Sequence, residues 1–221
     1  MANPRNLFRQ ALSCVIRILQ GPLTLDDRRL ETRRLEDRKL AVIGGFCVQH
    51  YLGDERRETQ DLDLMIEFDY PTDDIRVALA NADPDHFRLR ADVLYYCSGT
   101  DLVQVDLISH QTALPYHHRK IPDPPREVLP ADATRIGDIQ AEHPPFLSVQ
   151  DMIALKVYCC GTRSTQRKNR VDAQDAWELA AVLPEVVTWE PWQRDAIQDG
   201  LEDVVCFFDE TRNDWIAALR L

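Results

Sequence analysis

Apolar positions recur at helical spacing near the start of the chain, where Phe8, Leu12, Val15, Ile16 and Leu19 share one face. This pattern predicts an amphipathic helix over 5–20, stopped by Gly21-Pro22. Residues 26–38 mix both charge signs and read as a solvated helix. Leu40 to Ile43 is a short apolar run that ends in Gly44-Gly45. It predicts a buried strand entering a tight turn, with a helix over 46–52 behind it. Gly53 to Gln60 is a polar loop, and Leu62 to Phe68 a strand. Pro71-Thr72 opens a helix that runs to about Asn81, with Asp73 and Asp74 favourable near its N-terminus. Residues 86–97 and 102–108 read as strands around Ser98-Gly99-Thr100-Asp101, a hairpin signal.

The pattern changes after Ser109. Residues 111–146 hold seven of the 13 prolines and few periodic apolar positions, which predicts a long connector with one edge strand. From Ser148 the spacing is helical over 148–160, 171–183 and 191–219. The expected fold class is therefore α+β. Residues 1–110 form a mixed α/β core, 111–147 a Pro-rich connector, and 148–221 a C-terminal helical region.

Length and composition narrow the function classes. The 221 residues suit one domain, or one catalytic domain with a small helical appendage. Hydrophobic residues are 44% and charged residues 29%, ordinary for a soluble globular protein. No apolar run is long enough to span a membrane. Lys plus Arg is 26 against 37 Asp plus Glu, a net charge of −11, which argues against bulk electrostatic binding of DNA. A local basic cluster remains: Arg163, Arg167, Lys168 and Arg170 fit either a solvated inter-helix loop or a contact for triphosphate or an RNA acceptor. His117-His118 lacks zinc-ligand spacing, and the four tryptophans read as core.

Six cysteines show no CxxC pair, and four lie in apolar surroundings as buried thiols do, which points to a reducing compartment. Arg5, Arg9 and Arg17, with no acid before Asp26, are similar in composition to a mitochondrial transit peptide. The apolar face of the same segment favours a core-docked helix instead. The expected location is cytoplasmic, with the mitochondrial matrix as the minor alternative.

The chemistry-bearing stretch is Arg57 to Glu67. Strand side chains alternate between faces, so Asp61, Asp63 and Met65 share one face while Leu62, Leu64 and Ile66 share the other. Two carboxylates side by side repel each other and call for a cation, and Mg²⁺ takes such hard oxygen ligands together with phosphate oxygens. In Val103 to Ile108 the valines and Leu107 face one way and Asp106 the other. A strand beside 62–68 would bring Asp106 to the same place. Three carboxylates can hold two divalent ions and can take up a proton from an attacking hydroxyl. Gly44-Gly45 adds a turn whose backbone can approach a phosphate closely, at the positive end of a helix.

In this order and spacing, Gly44-Gly45, Arg57-x-Thr59-x-Asp61-Leu62-Asp63 and the later Asp106 resemble the DNA polymerase β-type nucleotidyltransferase superfamily. The Arg-x-Thr-x-Asp-apolar-Asp form is particularly similar to its AbiEii-like, toxin-type branch. The helical half extends the resemblance: Lys156 sits in Ala154 to Tyr158, and Asp172 and Asp175 sit three apart in Lys168 to Asp175. The resemblance covers about 40–68, 102–108 and 148–180. Two departures stand out. Many superfamily members have Gly-Ser where this chain has Gly44-Gly45, and the helix 46–52 carries Cys47 and His50 in place of small residues.

The resemblance implies a nucleotidyltransferase-like mixed sheet flanked by helices, with the helical region completing an active-site cleft. The implied activity moves an NMP from an NTP to an acceptor hydroxyl, on RNA or tRNA, protein or a small molecule, and releases pyrophosphate. Asp61, Asp63 and Asp106 would be catalytic and hold two Mg²⁺ or Mn²⁺ ions. Gly44, Gly45, Arg57, Thr59, Lys156, Asp172 and Asp175 would bind the nucleotide or brace its site. An antitoxin-like partner follows by analogy alone.

Two other readings compete. A haloacid-dehalogenase-like phosphatase also uses Asp-x-Asp, but at the end of a buried apolar strand; here the segment before Asp61 is polar and the apolar run follows it. A catalytically silent nucleotide-binding or interaction module on the same fold is the non-enzyme alternative. Three retained carboxylates argue against it.

Overall fold

The computed structural model describes residues 4–23, 35–53, 59–67, 72–109, 133–140 and 142–221. The chain divides into two compact units. Among the described residues, one unit holds the sheet and its helices up to Leu147, without 50–53. The other comprises 50–53 and the helices from Ser148 onward.

In the sheet unit, helix α1 (Pro4–Leu19) is followed by strand β1 (Lys39–Ile43) and helix α2 (Gly44–Leu52). Strand β2 (Asp61–Ile66) and helix α3 (Thr72–Ala82) come next. Strands β3 (Phe87–Arg90), β4 (Val93–Ser98), β5 (Asp101–Ser109) and β6 (Thr134–Arg135) complete the sheet. Its order is β3-β4-β5-β2-β1-β6. Among these strands β2 and β5 run parallel, and the other neighbours are antiparallel.

The period-two pattern of β2 and β5 is realised as burial. Leu62, Leu64, Ile66, Val103, Val105 and Leu107 are all buried, while Asp61, Asp63, Gln104 and Asp106 are half-buried on the opposite face. The apolar face of α1 is buried as its spacing required, through Phe8, Leu12, Val15, Ile16 and Leu19. Four cysteines are buried and all six are free thiols.

Several boundaries differ from the sequence reading. Residues 86–97 form two strands, joined at Ala91 and Asp92, which both adopt positive φ. That turn contains no glycine or proline, which left it only a faint mark in the sequence. The expected hairpin at Ser98–Asp101 is present, with Gly99 at φ +61°. The solvated helix expected over 26–38 falls mostly outside the described residues; its described end, 35–38, is a turn. The connector over 111–147 is described only from 133. There it supplies β6 on the open side of β1, and Pro145 and Leu147 then hydrogen-bond to Val42 further along the same strand. His117-His118 lies outside the described residues.

The helical unit contains α4 (Val149–Cys159), α5 (Gln166–Ala180), α6 (Pro191–Phe207) and α7 (Arg212–Leu219). Helix α5 starts earlier than expected because the Thr165 side chain caps it by accepting from the Lys168 N–H. The single helix expected over 191–219 is two. Thr211 and Asp214 cap each other reciprocally and start α7 afresh. Helices α4 and α6 touch backbone to backbone at Gly200, where a Cβ would collide with the Val157 carbonyl. Trp215 is fully buried against Trp177 and Phe208, and Trp189 is buried with its indole N–H on the Leu219 carbonyl. No described helix is long and apolar enough to cross a membrane.

Candidate metal and nucleotide site

The parallel pairing of β2 with β5 builds the site. Asp63 is the register partner of Asp106, and Asp61 that of Gln104. Alternation turns all four side chains to the same face, because the residues between them are needed by the core. The carboxylates of Asp61, Asp63 and Asp106 each offer an oxygen, and these oxygens lie within 4.8 Å of one another. The three acids named from the sequence thus stand together.

Neighbouring groups hold this arrangement. The Thr59 hydroxyl donates to Oδ1 of Asp61 at 3.1 Å, so Thr59 braces the first carboxylate. Nε2 of Gln104 lies 3.0 Å from both oxygens of Asp106. Asp63 lies against the start of α2. Gly44 follows directly on Ile43, the register partner of Asp63, and has φ +67°. A Cβ there would collide with the Asp63 carboxylate and approach its Cγ to 2.6 Å. Glycine is therefore required at 44 both by backbone conformation and by the acid above it. The positive end of α2 also favours a negative charge at that place. Gly45 is buried in the first turn of α2.

The donor set fits a hard divalent cation. It consists of oxygen ligands, it is half-buried, and it brings three carboxylates together.

Arg57 lies outside the described residues. Lys156, Asp172 and Asp175 meet in the helical unit. The Lys156 ammonium lies 2.7 Å from Asp172 and 2.8 Å from Asp175, with all three side chains buried. Arg163 Nε reaches the other oxygen of Asp172 at 2.7 Å. Burial pushes the Asp172 carboxyl up, but Lys156 and Arg163 outweigh it and hold the group below its ordinary range. The cations Lys156 and Arg163 thus meet the anions Asp172 and Asp175. Lys156, expected to reach a triphosphate, is ion-paired with Asp172 and Asp175. The same corner fixes the loop after α4, where the Asn169 side chain accepts from the N–H groups of Gly161 and Arg163. Arg167, Lys168 and Arg170 are exposed at the start of α5.

Sequence reasoning missed Gln104. Its signal was present: it stands two residues before Asp106, on the same face of the same strand.

The structure is similar to the crystal structure of an antigenic nucleotidyltransferase-like protein from Paracoccidioides brasiliensis. The TM-score is 0.63 and the identity 19%, over 97% of this chain and 93% of that one. No family model and no curated protein matches the sequence. At this identity the likeness defines the fold: a nucleotidyltransferase-like mixed sheet flanked by helices.

Proposed function

We propose that the protein is a metal-dependent nucleotidyltransferase that moves an NMP from an NTP to an acceptor hydroxyl and releases pyrophosphate. The observation that carries this reading is the meeting of Asp61, Asp63 and Asp106 on parallel neighbouring strands beside the Gly44 turn. The nucleotidyltransferase-like fold supports it. So does the resemblance of the Gly44-Gly45 and Arg57-to-Asp63 motifs to the AbiEii-like branch.

Asp61, Asp63 and Asp106 would hold Mg²⁺, or Mn²⁺ in its place, as two ions. When bound, the metal supplies charge neutralisation at the phosphate oxygens. Asp106 would accept the proton of the acceptor hydroxyl, whose oxygen bonds to the α-phosphorus as the bond to pyrophosphate breaks. Thr59 and Gln104 keep Asp61 and Asp106 in place, so that positioning and electrostatics provide most of the rate. Gly45, in the first turn of α2, offers backbone N–H to phosphate. Lys156, Asp172 and Asp175 would serve the nucleotide indirectly, by holding Arg163 and the start of α5.

Label transfer tests the reading. Purified protein is incubated with each α-³²P NTP and Mg²⁺ or Mn²⁺, in the presence of tRNA, cell protein or pooled small hydroxyl compounds. Label on one acceptor class with the unmodified protein, and none with Asp61→Asn/Asp63→Asn, is the expected result. Absence of transfer from every NTP to every class, in protein that binds NTP and metal, overturns catalysis and leaves the silent binding module.

A further inference from the structure

We infer that Gln104 is a positioning residue of the metal site, which fixes the Asp106 carboxylate toward Asp63 before any cation arrives. The inference rests on the metal-site part of the reading above, not on the identity of the reaction.

An aspartate on a strand has freedom about its terminal torsion, and its carboxylate plane is broad in energy. Three carboxylates facing one another would use that freedom to turn apart, because like charges repel. At Asp106 the turn is prevented by one group. The Gln104 amide nitrogen lies 3.0 Å from Oδ1 and 3.0 Å from Oδ2, so rotation of the carboxylate in either direction lengthens a hydrogen bond. Gln104 is itself well placed for this. Val103 and Val105 on either side of it are buried, which anchors the backbone and keeps the glutamine on the acidic face. Its register partner across β2 is Asp61, so the same amide stands at the flank of the whole acidic row.

The clamp does not compete with metal for the carboxylate. Each carboxylate oxygen has two lone pairs, and one amide nitrogen shared between both oxygens leaves acceptor capacity on each. Gln104 is also uncharged, so it orders Asp106 without repelling a cation, as a lysine or arginine at this place would. Thr59, two residues before Asp61 and just ahead of β2, is a second neutral donor: its hydroxyl lies within reach of Oδ1 and of the backbone carbonyl of Asp61. Asp61 and Asp106 thus each face a neutral donor, and Asp63 is held by its seat over Gly44.

The test is Mn²⁺ binding, followed by the electron paramagnetic resonance of the free ion, in metal-free protein at one neutral pH. Gln104→Met keeps chain length and removes the donor. It is expected to weaken Mn²⁺ about tenfold, the low end of what loss of a ligand's hydrogen-bond partner causes. The melting temperature of the metal-free variant should stay at the wild-type value, which a merely structural role would not allow. Gln104→Leu serves as the second variant should Met fail to fold. Mn²⁺ affinity equal to wild type in a folded Gln104 variant, with binding lost in Asp63→Asn, overturns the inference and leaves the metal site standing. Absence of Mn²⁺ binding by the wild type overturns the metal site and this inference together. Binding by the wild type without NMP transfer overturns the proposed reaction, and the Gln104 comparison still decides the inference.

Discussion

Gly44 lies directly beneath the carboxylate of Asp63, so the first residue of α2 and the central acid of β2 share one space. The glycine of the strand–helix turn is fixed by an acid of its own chain before any phosphate is considered. Gly44→Ala would place a methyl group where the carboxylate stands, at a φ of +67° that L-residues rarely adopt. Strain of this kind costs about 1–3 kcal/mol. The expected outcome is a lower melting temperature together with loss of Mn²⁺ binding, since Asp63 must move. Calorimetry and a Mn²⁺ titration on the same sample check both.

Neutralising one acid should separate stability from function. Asp61, Asp63 and Asp106 repel one another across less than 4.8 Å when no cation is present. Asp106→Asn removes part of that repulsion and keeps the shape. The metal-free variant should gain about 1 kcal/mol, a rise of roughly 2–4 °C for a chain of this size. NMP transfer should fall at least about 100-fold, as it does when a preorganised electrostatic group is lost. A variant that melts lower than wild type and retains transfer would contradict the assignment of Asp106.

The acidic site was legible because β5 and the first half of β2 alternate with period two. Once Leu62, Leu64, Val105 and Leu107 are assigned to the core, Asp61, Asp63 and Asp106 have one face left to occupy. Gln104 escaped because a polar residue on a half-exposed face has an ordinary explanation, solvation, and its hydrogen bond to Asp106 is invisible in the sequence. The turn at Ala91-Asp92 escaped for a related reason: asparagine, aspartate and glycine favour positive φ, but alanine does not, so half of its signal was missing. The break between α6 and α7 depends on the Thr211 cap, which looks like one more polar residue within a helical pattern. Lys156 stood out through a resemblance, and its sequence position alone held nothing about the two acids that enclose it.

Lys156 should matter first for folding. Lys156→Met would take from the buried Asp172 and Asp175 the ammonium that lies 2.7 and 2.8 Å from them, while Arg163 stays on Asp172. Breaking a buried pair in this way costs about 3–5 kcal/mol. Lys156→Met/Asp175→Asn restores charge balance, with Arg163 and Asp172 still paired, and should regain a large part of the loss. Denaturant unfolding of the two variants measures both steps. An NTP affinity in the double variant close to wild type is the expected companion result, in line with an indirect role.

The same cluster should shape the acid limb of stability. The Asp172 carboxyl is held below its ordinary value of 3.8, because Lys156 and Arg163 overcome the opposing effect of burial. A depressed carboxyl binds protons more weakly in the folded chain than in the unfolded one. Its stabilising contribution is therefore complete above the unfolded value, declines as pH drops below it, and disappears once pH has passed through the lower folded value. Unfolding free energy followed from neutral pH down to about pH 3 should steepen below pH 4 in the wild type. Asp172→Asn should start less stable at neutral pH, since the buried Lys156 then loses a charged partner, and should show a shallower acid limb. Parallel acid limbs in the two proteins would mean that Asp172 is not held down by its cations in solution.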